Sequence, residues 1–73
     1  MNLLTIQTVN GEKIRSFLNY PNSNDALSAF HYTMSSAIAN AEVSEVVCAL
    51  INDKGKVCKL DSYIRPVEEE IND

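Results

Sequence analysis

The chain has no tryptophan, one histidine, two glycines, two prolines and two cysteines in 73 residues. Two thiols cannot make the disulfide framework that small secreted domains use to supplement a thin core, so a reducing, cytoplasmic setting is expected. Adding the single histidine still leaves fewer than four closely spaced ligands, and no structural metal is expected. No glycine-rich phosphate loop exists, because Gly11 and Gly55 both sit in turn sequences. No apolar run approaches the ~20 residues that cross a bilayer. The start, Met1-Asn2-Leu3-Leu4-Thr5, lacks the basic region and apolar block of a signal peptide. Positive charge is also scarce, with six bases against ten acids and a net charge of -4. A nucleic-acid binder carries the opposite balance, so nucleic acid is not expected as a partner, nor is a membrane.

What is present is a globular composition, 45% hydrophobic and 22% charged. The length suits one small domain that buries only about 60% of the surface its unfolded chain exposes. Residues 1–66 read as that domain, in the order ββαββ. Leu3 to Val9 mixes apolar and β-branched residues and is followed by Asn10-Gly11, the pair that a type I′ hairpin turn requires. A two-residue turn pairs Val9 with Glu12, Gln7 with Ile14, Thr5 with Ser16 and Leu3 with Leu18. Leu3, Val9, Ile14 and Leu18 then share one face, and Leu4, Ile6 and Phe17 lie on the other beside Lys13 and Arg15. Neither face alternates cleanly to polar, as a strand with one solvated face should.

Asn19 to Asn24 is a loop, with Pro21 and a cluster of Asn and Ser that favours turns and caps. Asn22 followed by Asp25 resembles a capping box, with Asp in place of Glu. A helix over Ser23 to Asn40 would carry an apolar stripe of Leu27, Phe30, Met34, Ala37, Ile38 and Ala41. From Ala26 to Ala41 there is no Lys, Arg, Asp or Glu. The back of the helix, including Ser28, Tyr32 and Ser36, is therefore neutral where a solvated face is normally charged. It reads either as an uncharged exposed face or as a contact surface.

Glu42 to Asn52 is a valine-rich strand, Asp53-Lys54-Gly55 a three-residue turn, and Lys56 to Arg65 the return strand, ended by Pro66. Uninterrupted pairing from Asn52 and Lys56 sets Leu50 against Cys58, Cys48 against Leu60 and Val46 against Ser62. Val46, Cys48, Leu50, Cys58, Leu60 and Ile64 would then face the core. Val43, Val47, Ile51, Val57 and Tyr63 would face outward with Glu45, Lys59, Asp61 and Arg65. In that register both thiols are buried and diagonal, with Cβ atoms roughly 7 Å apart, too far for a disulfide. The remaining residues, 67–73, hold four acids and no base and read as a solvated, flexible tail.

No catalytic constellation emerges. His31 lies within the helix near the stripe, both cysteines are expected in the core, and no carboxylate pair can be placed in a cleft. No enzyme activity and no cofactor are expected. Ala26-Leu27, Phe30-His31, the small residues to Ala41, the valine-rich strand ending in Asn52-Asp53-Lys54-Gly55-Lys56-Val57, and Lys59 with Ser62-Tyr63-Ile64-Arg65 together resemble short proteins carried by phages, plasmids and integrated elements of Gram-positive bacteria. The resemblance covers about residues 24–65. It implies an accessory, host-directed role and supplies no functional residues.

The expectation is an α+β domain: a four-stranded antiparallel sheet with one helix on one face, a β-grasp being the fold alternative. Its expected work is protein binding as a homodimer. The interface would draw on Val43, Val47, Ile51, Val57 and Tyr63 of the sheet or Ser28, Tyr32 and Ser36 of the helix. The other reading is a small-molecule or nucleotide site between subunits, lined by His31, Tyr32 and Arg65.

Overall fold

The computed structural model describes residues 1–66; the expected acidic tail, 67–73, lies outside the described residues. The elements are β1 (Asn2–Val9), β2 (Glu12–Asn19), α1 (Ser23–Ala39), β3 (Val43–Ile51) and β4 (Val57–Ile64). They form a four-stranded sheet in the order β2-β1-β3-β4, and every neighbouring pair is antiparallel. This is the expected ββαββ arrangement. The tight β3–β4 hairpin and the all-antiparallel pairing set the β-grasp alternative aside.

The first hairpin follows its local chemistry. Asn10 at φ 52° and Gly11 at φ 82° supply the two left-handed positions of a type I′ turn. Val9 pairs with Glu12, and the register runs unbroken to Asn2 and Asn19. The helix also begins as expected, with the Asn22 side chain accepting the Asp25 N–H at 2.9 Å. The second half of the cap differs from a capping box. Asn22 Nδ2 donates to Asp25 Oδ2 at 3.2 Å, side chain to side chain.

The helix is rotated from the expected stripe. Its buried residues are Ala26, Phe30, Met34 and Ala37, while Leu27 and Ile38 stay exposed on its flanks. Ala41 lies past the helix end and is exposed. In the i, i+4 series Ala26, Phe30 and Met34 the smallest residue, Ala26, is fully buried. The core joins these to Leu3, Val43, Val46, Cys48 and Leu50. α1 lies chiefly over β3, with lesser contact to β1 and β4.

The second hairpin departs from the expected register because of one residue. The turn itself holds: Asn52 N–H donates to Lys56 O at 2.9 Å, and Gly55 sits at φ 84°. Asn52 Oδ1 accepts from both Lys54 N–H and Lys56 N–H, at 2.8 and 2.9 Å. Ile51 then pairs with Val57, but Leu50 pairs with Lys59. Cys58 is the extra residue of a bulge, and a one-residue slip turns every later side chain to the opposite face. Leu60 and Ile64, expected in the core, are exposed, as is Cys58. Lys59, Asp61, Tyr63 and Arg65 go to the helix side instead. Lys59 Nζ lies 5.5 Å from the centre of the Phe30 ring, and Tyr63 packs on the core.

A second irregularity, between Thr8 and Val9, pairs Val9 with Val43 and Thr8 with Glu45. It leaves Ser44 unpaired in the register and moves Val43 into the core, where it is 1% exposed. Val43 and Tyr63 are therefore not on the outward face to which the alternation of the sequence assigned them.

Candidate interaction surface

The registers fix which side chains share the face of the sheet away from α1. Phe17, Leu4, Ala49 and Leu60 form one row across the four strands; Arg15, Ile6, Val47 and Ser62 form the next. Asn19, Asn2, Ile51 and Val57 lie at one end, and Lys13, Thr8, Glu45 and Ile64 at the other. Among the described residues nothing covers this face. Phe17 is 60% exposed, Leu60 65% and Ile64 69%, with Val57 also exposed and Leu4, Ile6, Val47 and Ile51 half-buried. Its charges, Lys13, Arg15 and Glu45, stand at the margin. A second uncovered apolar area lies on the helix side. α1 does not extend over β2, so Ile14 and Leu18 are each 51% exposed.

Of the sheet residues expected at an interface, Val47, Ile51 and Val57 are on the open face. Val43 and Tyr63 are not. Ser28, Tyr32 and Ser36 are exposed on the back of the helix, as expected. Leu60 and Ile64 were missed as surface residues because the Cys58 bulge leaves no mark in a period-two pattern. Ile14 and Leu18 share the face of Leu3 and Val9, as expected, and that face is the helix side. Their exposure follows only from β2 lying two strands from β3, a fact of strand order.

The two cysteines differ. Cys48 is fully buried beside Thr5, whose hydroxyl lies 4.0 Å from the sulfur. Burial pushes its thiol pKa up; the Thr5 hydrogen bond opposes this, and the nearby Asp61 charge adds to it. Cys58 is exposed, its thiol directed at Lys56 O at 3.7 Å. Both are free.

His31, Tyr32 and Arg65 do not converge. His31 is exposed and meets Phe30 edge to face at 5.5 Å between ring centres, and Tyr32 stands in solvent. Arg65 is committed to the end of α1, which has no basic residue in its last turn. Its Nη2 donates to the carbonyls of Ala37 (3.3 Å), Ile38 (2.8 Å) and Asn40 (2.9 Å), and its Nε to Val43 O at 2.9 Å. The guanidinium adds to the local closure of the helix end, where Asn40 N–H donates to Ala37 O at 3.2 Å and Val43 N–H to Asn40 O at 3.0 Å. Among the described residues there is no cavity and no cluster of three or more metal-ligating side chains. No helix among them is long and apolar enough to cross a membrane.

Comparison with protein-family models, with curated proteins and with solved structures finds no match to this chain.

Proposed function

We propose that this chain is a non-enzymatic interaction module that works as a homodimer and engages a further protein through the open face of its sheet. The carrying observation is that face, where Phe17, Leu60, Ile64 and Val57 stand exposed among four half-buried aliphatic side chains. A contiguous apolar patch of more than a few hundred Å² marks an interaction site on a soluble protein. The resemblance over residues 24–65 supplies the setting, a mobile-element accessory acting on a host protein. The two free thiols suit a reducing cytoplasm.

Two measurements on one micromolar sample test this reading. Sedimentation should give twice the 8.1 kDa chain mass, and a neutral hydrophobic dye should bind the native protein and lose its signal in Val47→Lys. A monomer removes the homodimer, and a native protein that binds no dye removes the open face as a docking surface. Ser36→Glu, on the back of the helix, should leave the mass unchanged.

A further inference from the structure

The two edges of the sheet are built differently. β4 carries the devices that keep an edge from pairing: the bulge at Cys58, Lys59 and Asp61 on its helix side, and Pro66 just past its end. β2 carries fewer of them: its helix-side charge is Glu12, at the turn, and Lys13 and Arg15 lie on the open side. It is eight residues long, pairs with β1 without a bulge, contains no proline, and has Ile14 and Leu18 on its helix side. Its outward hydrogen-bonding groups can be identified. Tyr20 N–H donates to Met1 O at 2.9 Å, and the Met1 ammonium donates to Tyr20 O at 3.4 Å. By the alternation of an antiparallel ladder, the even residues of β2 bond to β1 and Lys13, Arg15, Phe17 and Asn19 point theirs at the free edge.

We infer that β2 pairs antiparallel with β2 of a second copy, about a two-fold axis at Ser16, joining two four-stranded sheets into one of eight strands. This rests on the homodimer reading and names its joint. The choice of a second copy comes from the sequence of the edge itself. Centred on Ser16, the register sets Ile14 opposite the partner's Leu18 on the helix side. On the open side it sets Arg15 opposite the partner's Phe17 and Lys13 opposite the partner's Asn19. Apolar meets apolar, a guanidinium meets an aromatic ring, and no like charges face each other. Centring on Arg15 would set that guanidinium against its own copy. Centring on Phe17 would oppose Ser16 to the partner's Leu18.

The helices permit this joint. α1 lies over β3, two strands in from the edge, so β3 and its mate stand five strand spacings apart, roughly 24 Å. That exceeds the ~8–10 Å of packed helices, and the two copies of α1 flank a trough floored by Ile14 and Leu18. The open faces merge into one surface, still free for a partner.

Ser16 would face its own copy in a non-hydrogen-bonded pair, with Cα atoms about 4.5 Å apart, within disulfide range. The test is oxidative cross-linking of Ser16→Cys in a Cys58→Ser background, with Val47→Cys at the centre of the open face as the comparison. Ser16→Cys should give a covalent dimer on a non-reducing denaturing gel, and Val47→Cys none. A dimer in sedimentation that cross-links through Val47→Cys, or fails to through Ser16→Cys, overturns the edge joint and leaves the homodimer standing. A monomer overturns both. Arg15→Pro supplies the second arm, because its lost N–H points away from β1. A helix and sheet signal like that of the unaltered chain, with at least tenfold weaker association, is expected; unchanged association overturns the joint.

Discussion

The two hairpins solve the same problem with different means. The β1–β2 hairpin is assembled from neighbours: an Asn-Gly turn, an unbroken register and a regular outer strand. The β3–β4 hairpin is finished by distant groups. Its outer strand breaks step at Cys58, turns its polar residues toward the helix and places their stems on the core. Lys59 reaches the Phe30 ring, Arg65 lies 5.4 Å over the Tyr63 ring, and Arg65 also bonds the end of α1. The aliphatic residues of β4 are displaced to the open face as a result. A polar residue on the helix side therefore closes one edge, and apolar residues in the equivalent positions of β2 leave the other available.

The sharpest way to break this comparison is chemical. A thiol reagent should modify Cys58 rapidly in the native protein. Cys48, reached only by unfolding, should react at least about a thousandfold more slowly, as even a modest global stability dictates. Equal rates would restore the register without the bulge. Next, Arg65→Ala should cost about 1–3 kcal/mol by denaturant titration, the range for hydrogen bonds from a charged donor. Lys13→Ala, on the bare edge, should stay within ~0.5 kcal/mol. Comparable losses would mean that β4 is no better anchored than β2.

Gly55→Val and Gly11→Val should each cost roughly 1–3 kcal/mol. At both sites an added Cβ meets nothing within 4 Å, so the penalty is that of the positive φ alone. A neutral Gly55→Val would displace the second turn. The smallest effect is on pH. The raised pKa of Cys48 means that the unfolded thiol ionises first. Its contribution to stability is whole below the unfolded value, about 8.5, and is lost as pH rises through the folded one. The denaturant midpoint should fall above that pH, and Cys48→Ala should flatten the slope.

Element order, both turns, the helix cap and the first register were legible because each depends on a few adjacent residues. Asn10-Gly11 and Asn22 with Asp25 state their geometry locally. The second register was not legible beyond Asn52–Lys56. Cys58, Leu60 and Ile64 alternate as a core face would, and the competing placement of Lys59, Tyr63 and Arg65 is stabilised by α1 carbonyls and Phe30, which are remote in sequence. For the surface, Val47, Ile51 and Val57 were readable from alternation. Leu60, Ile64 and the exposure of Ile14 and Leu18 required the bulge and the strand order.

Arg65 also imposes an order on events as the chain is made. α1 ends at Ala39 with its last carbonyls waiting on a side chain more than twenty residues downstream. Until β4 has been synthesised and has closed on β3, that end of the helix has only its local bonds, from Asn40 N–H to Ala37 O and from Val43 N–H to Asn40 O. β1 likewise waits on β3 for its second neighbour. A nascent chain can form its first hairpin early, and the Arg65 bonds to the end of α1 are added only when the last strand arrives.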